Sequence, residues 1–91
     1  MAHTIRGKKK LLARVSRIAG QVEALKRTLE AEQECGDVIR LVAACRGAMN
    51  SLMAELLEGH IRDHAFARMK PGSEDEEAAQ DVIDVVRSYL K

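Results

Sequence analysis

The sequence predicts an all-α fold, a three-helix subunit with two long antiparallel helices and a short third one, and three observations carry that prediction. Apolar residues recur at alternating spacings of four and three along two long stretches. The 91 residues hold a single proline, Pro71, and 32% charged side chains, a composition of long helices rather than of a β-rich fold. Phe66 and Tyr89 are the only aromatic residues, so Leu, Val, Ile, Ala and Met must fill any core. A chain of this length is expected to form one domain over residues 1–91 and to bury a smaller share of its surface than an average domain.

The first stripe is Leu11, Val15, Ile18, Val22, Leu25 and Leu29, which predicts a helix over 5–31. The second, Val38, Val42, Cys45, Met49, Leu52 and Leu56, runs on toward Ile61 and predicts a helix over 36–66. Between them, Glu30-Ala-Glu-Gln-Glu-Cys-Gly-Asp37 places acids before a helix start, with Asp37 as the candidate N-cap. So short a connection folds the two helices back antiparallel. Lys70-Pro-Gly-Ser-Glu-Asp-Glu-Glu77 breaks the pattern, and Ser73 with Glu76 three residues later reads as a capping box that opens a third helix carrying Val82, Val86 and Tyr89, flanked by Ile83, Val85 and Leu90. That helix is too short to cover two others of about 40 Å at 1.5 Å per residue. The apolar surface left over is expected to meet another copy of the chain.

Net charge is only +1, but its distribution is uneven. Residues 1–27 carry Arg6, Lys8, Lys9, Lys10, Arg14, Arg17, Lys26 and Arg27 against Glu23 alone, and acids predominate in the remainder. The asymmetry suits a polyanion at one end of the molecule, although a solvated helix face would look the same by charge. Lys10, Arg14 and Arg17 share one helix face by their spacing, and with no aromatic residue among them stacking on bases is not expected. No apolar run approaches the roughly 18 to 20 residues that span a bilayer, and the basic start has no apolar stretch behind it, so no membrane partner and a cytoplasmic location are expected. Cys35 and Cys45 form neither a disulfide framework nor a Cys-x-x-Cys pair. Cys45, in a stripe position between Val42 and Met49, reads as a buried apolar thiol.

His60 and His64 lie one helical turn apart on one face, a spacing at which two imidazoles can bind one metal, though surface histidines show it too. His60-Ile-Arg-Asp-His64 lacks the Glu of a hydrolytic His-Glu-x-x-His site, and inward Glu-x-x-His pairs of a helical-bundle metalloenzyme are absent, so no enzyme is predicted. Cys35 is separated from His60 by 25 residues of helix, about 37 Å, whereas metal-ligand bonds are about 2.0 to 2.3 Å. One chain cannot join them. Two copies of the second helix packed antiparallel, crossing near the small residues Gly47 and Ala48, would bring Cys35 of one to His60 and His64 of the other. Folding the chain about residue 33 also sets His3 opposite residue 63.

These four positions, the segments Arg46-Gly-Ala-Met-Asn50 and Leu52-Met-Ala-Glu-Leu56, and the basic opening Ile5-Arg-Gly-Lys-Lys-Lys-Leu-Leu-Ala-Arg14 closely resemble the CsoR/RcnR family of bacterial repressors. The resemblance implies an antiparallel four-helix-bundle dimer, a disc-shaped tetramer, and operator binding without a helix-turn-helix, with Arg14 and Arg17 at positions the family uses on DNA. It also implies release of DNA by an effector at the Cys/His site, derepressing an efflux or detoxification gene. The family's copper(I) sensors carry a second cysteine where this chain has His64, so their soft two-thiolate site is missing. Its nickel/cobalt sensors carry His, Cys, His, His at the positions of His3, Cys35, His60 and His64, which implies Ni(II) or Co(II) as effector, with Zn(II) as a further candidate and the amine of Ala2, after removal of Met1, as a further donor. The alternative is a formaldehyde-responsive repressor modified at Cys35 and the N-terminal amine. Those sensors share Cys35 and His60 but start with proline and lack His3 and His64. A nucleoid-type protein, by contrast, would hold DNA whatever the effector.

Overall fold

The computed structural model describes residues 3–90, with His3 described by its backbone alone. Four α-helices follow in order, α1 (His3–Arg6), α2 (Lys8–Glu30), α3 (Cys35–His64) and α4 (Glu74–Tyr89), with a 3₁₀ turn at Phe66–Arg68 between the last two. There is no strand among the described residues. The predicted pair of long helices and the short third helix are all present. The first segment is nevertheless divided at Gly7, which ends α1 and caps α2 with its carbonyl, accepting the amide of Leu11 at 2.9 Å. Glycine tolerates the break because it is a weak helix former, about 1 kcal/mol less favourable in a helix than alanine.

The hairpin turn differs from the sequence reading at its cap. Glu34, not Asp37, is the N-cap of α3. Asp37 sits in the first turn, where its charge complements the helix dipole and pairs with Arg40. The C-terminus of α2 closes as a Schellman motif, the amide of Gln33 reaching Thr28 O at 3.2 Å and that of Glu32 reaching Leu29 O at 3.1 Å. This motif needs a left-handed residue, and here it is Glu32, at φ 55°. That conformation is unfavourable for an L-residue, so Glu32→Gly is expected to stabilise the protein by about 0.5 to 1 kcal/mol, read as a raised thermal midpoint at fixed chain concentration. An unchanged or lowered midpoint would refute it.

The second turn follows the sequence closely. Pro71 and Gly72 (φ 77°) occupy the middle of a turn closed by Ser73 N–H to Lys70 O at 3.1 Å. Ser73 Oγ then accepts the amide of Glu76 at 3.2 Å, while the Glu76 carboxylate accepts the amide of Gly72 at 2.9 Å, one residue earlier than in the standard capping box. Four acids fill the first turn of α4 and Arg87 the last, each at the favourable end of the dipole.

The molecule measures 56 × 25 × 11 Å, one helix thick, and its radius of gyration is 17.3 Å, against about 12 Å for a compact domain of this length. Its accessible surface of 6930 Å² exceeds the roughly 5,300 Å² expected for a globular monomer of this mass. Among the described residues only Ile18, Ala54 and Ile83 are buried. Each predicted stripe proves to be two-sided. On α2, Leu11, Ile18 and Leu25 turn inward with Arg14, Gln21 and Thr28, whereas Leu12, Val15, Val22 and Leu29 are exposed. On α3, Val38, Cys45, Leu52 and Leu56 are half-buried, whereas Ile39, Val42, Met49, Met53 and Leu57 are exposed. Cys45 is thus half-buried in the single chain, not fully buried as its stripe position suggested.

Candidate effector site and nucleic-acid interface

The spacing of four residues sets the His60 and His64 rings side by side at the end of α3, their centroids 4.5 Å apart and their planes tilted by 46°. Both are exposed, at the helix terminus whose unpaired carbonyls favour cations. Asp63, between them, is ion-paired with Arg6, so α1 rests against this end of α3. The backbone of α1 therefore lies where folding the chain about residue 33 put it, while the His3 side chain, the third expected imidazole donor, lies outside what is described. Cys35 is the first residue of α3, an exposed free thiol at the opposite end of the same 30-residue helix. Two of the four expected donors are thus together and Cys35 is remote from them. No cluster of three or more His, Cys, Asp or Glu suited to a metal forms among the described residues.

Cys35, His60 and His64 nonetheless share a face. From Cys35 a run through Ile39, Val42, Arg46, Met49, Met53 and Leu57 to His60 and His64 advances by three or four residues at each step, and every one of these side chains is exposed. Its centre is Met49. Ala48, which the sequence reading put at a helix crossing with Gly47, turns instead toward α2, where it lines a hollow with Arg17 and Gln21. Gly47 opens on the other side, in an apolar groove of about 530 Å³ shared with Val38, Val42 and Tyr89.

The three basic residues predicted for DNA lie along α2, but in unlike settings. Lys10 and Arg17 are exposed. Arg14 occupies the seam with α3, its Nε 3.3 Å from Glu55 Oε2, and neither atom is hydrogen-bonded. Lys10 and Arg14 line a polar cleft of about 400 Å³ together with Glu55, Glu58 and Arg87. In it Arg87, near the end of α4, grips Glu58 with two hydrogen bonds of 3.2 and 3.0 Å, and Arg62 approaches the same carboxylate at 3.7 Å. The Arg87 hydrogen bonds hold the Glu58 carboxyl below its ordinary range against the opposing effect of burial. The sign follows: this clamp of α4 on α3 is intact above the ordinary carboxylate range and is lost as pH falls through the lowered value. Glu55, Glu58 and Arg87 were not singled out from the sequence. The one available signal was that Arg14 falls between Leu11 and Ile18 in the inward repeat, where a cation needs a partner across the seam.

No helix among the described residues is long and apolar enough to cross a membrane. Comparison with known proteins accounts for nearly the whole chain. Residues 7–88 match the model of a family described as metal-sensitive transcriptional repressors. The transcriptional repressor RcnR of Salmonella paratyphi B is 44% identical over 91 residues, covering 100% of both chains. An uncharacterised protein encoded in the bioA 5′ region of Serratia marcescens is 50% identical, also over 100% of both. Among solved structures, a variant of the formaldehyde-responsive regulator FrmR from Salmonella enterica serovar Typhimurium superposes with a TM-score of 0.66 at 39% identity, covering 96% of this chain and 98% of that one. Helical bundles host many unrelated activities, so the fold alone would not decide among them. The match over both the basic helix α2 and helix α3, which carries Cys35, His60 and His64, does, and it places the chain in the metal-sensitive transcriptional repressor family, whose members regulate transcription and are not enzymes.

Proposed function

We propose that the chain represses transcription as an oligomer that binds duplex operator DNA when free of effector and leaves it on binding Ni(II) or Co(II). The observation that carries this reading is the exposed run on α3 that begins at Cys35 and ends at His60 and His64. An antiparallel copy crossing at Met49 would cover the apolar middle of the run and set each Cys35 beside the partner's histidine pair, with His3 supplied from α1. The metal would be held by His3, Cys35, His60 and His64, and would supply a positive charge drawing elements of two chains together. Three imidazoles and one thiolate suit borderline ions, Zn(II) included, better than Cu(I). The second exposed stripe, on α2, leaves area for further association as a dimer of dimers.

Lys10, Arg14 and Arg17 would meet phosphates. Operator affinity should then fall steeply with salt, and Arg14→Ala or Arg17→Ala should make the log–log slope shallower by about one for each phosphate left without its cation, with metal affinity barely changed. Fluorescence anisotropy on a duplex selected from a random pool by the metal-free protein measures the salt slope, and cobalt(II) absorption measures the metal affinity. Slopes that stay at the wild-type value would exclude these residues from the interface.

A second reading is favoured by the likeness to a formaldehyde-responsive regulator and by the exposed Cys35 thiol: release of DNA by covalent modification at Cys35 and the N-terminal amine. The same duplex separates the two. Release by Ni(II) or Co(II) that chelation reverses supports the metal. Release by formaldehyde, with a mass increase that survives denaturation, supports the aldehyde.

A further inference from the structure

Arg14 is a poor candidate for a free phosphate ligand in the lone chain. It is half-buried in the α2/α3 seam, and its guanidinium already faces the Glu55 carboxylate at 3.3 Å, with equal side-chain exposure of 29% on both partners. The nearby carboxylate of Glu58, one turn further along α3, is engaged by Arg87 and Arg62. The Arg14 pair is close enough to neutralise charge, yet neither Arg14 Nε nor Glu55 Oε2 makes a hydrogen bond. Charge-assisted hydrogen bonds are the strong ones, and these two atoms make none, so this pair is one that a better-aligned oxyanion can displace. Lys10 and Arg17, by contrast, are both exposed on the same helix.

We infer that Glu55 is an intramolecular competitor for Arg14, a carboxylate occupying the guanidinium that a DNA phosphate would otherwise take. This rests on the reading of Arg14 as a phosphate ligand and adds a regulatory residue to it. The competitor is placed to report the effector. Glu55 lies on α3, five residues before His60, whereas Arg14 lies on α2. A shift of α3 along α2 when the effector site fills therefore changes how firmly Glu55 holds Arg14, and α3 carries the charge with it as a rigid helix. The basic surface is switched by altering the partner of one cation, without unfolding either helix.

The test is a double-mutant cycle on the selected duplex at about 0.1 M salt, using cobalt(II) as the effector. Glu55→Gln keeps the shape of the side chain and removes its charge. It is expected to raise operator affinity of the metal-free protein about three- to fivefold, the scale of a partly exposed ion pair. The gain should disappear in the Arg14→Ala background, and the factor by which cobalt(II) weakens DNA binding should shrink. Cobalt affinity without DNA should stay within about twofold of wild type. Glu55→Asp, which shortens the reach and keeps the charge, should give a smaller gain and guards against a folding artefact in the first variant. A gain of equal size in the Arg14→Ala background would mean a general charge effect and overturns the inference. So does a loss of affinity in Glu55→Gln, which would make Glu55 a support for Arg14 rather than its competitor. If Arg14→Ala leaves DNA binding unchanged, the phosphate role itself is wrong and the inference falls with it, an outcome distinct from failure of the competition alone.

Discussion

Mixing a Cys35→Ala chain with a His60→Ala, His64→Ala chain is expected to restore a wild-type-like cobalt(II) absorption band at up to half amplitude, although neither variant shows the band by itself. The expectation follows from the length of α3, whose 30 residues hold Cys35 at one end and the histidine pair at the other. About 37 Å of helix separates the donors, more than ten times any coordination bond, and no rearrangement of side chains closes it. Each homodimer of a single variant lacks one or two donors at both of its sites, and since loss of even an outer-shell partner costs about 10- to 100-fold in metal affinity, loss of a ligand should cost at least as much. A heterodimer carries one site with both defects and one with none, hence the half amplitude. The mixture must be allowed to exchange subunits and the heterodimer verified by native mass spectrometry. A verified heterodimer without the band would show that the two ends of α3 do not meet across chains, and the proposed site would have to be abandoned.

The other large effect is expected at Met49. It is 54% exposed in the lone chain and central in the run from Cys35 to His64, so an antiparallel pairing sets the two copies of Met49 against each other. Met49→Glu would bury two like charges at the crossing, a penalty of several kcal/mol that corresponds to a dimer weakened by a factor of about 100 or more. Sedimentation at micromolar concentration should show the species shifting from oligomer to monomer, with a parallel fall in helicity and loss of the cobalt band. If Met49→Glu sediments as wild type, the exposed face of α3 is not the pairing surface.

Much of this was legible in the sequence. The helices, the Pro71–Gly72 turn and the Ser73 cap follow from local signals: periodicity, a fixed φ, and a hydroxyl three residues before a carboxylate. The His60/His64 pair is equally local, since four residues of helix place one ring over the next. What the sequence could not divide was each apolar stripe. Val15 and Ile18, or Met49 and Leu52, are three apart and both apolar, so periodicity assigns them to one seam. In the structure they diverge, Ile18 and Leu52 inward and Val15 and Met49 outward. A stripe wide enough for two neighbours carries no mark of which neighbour is its own chain. The Arg14–Glu55 pair was hidden for a related reason. Its partners are 41 residues apart on different helices, and the register of one helix against another is not written in either.

The 11 Å thickness of the chain has a consequence for its abundance in a cell. A slab one helix deep has almost no interior, so in the proposed assembly its folded state would be secured only on meeting a second copy, a step second order in chain concentration. Unpartnered chains would then open more readily and be the ones proteases cut. Lower synthesis would therefore remove regulator more than in proportion, since fewer chains are made and each waits longer for a mate. Gene dosage would set not merely how many operators are filled but whether the protein survives to fill them.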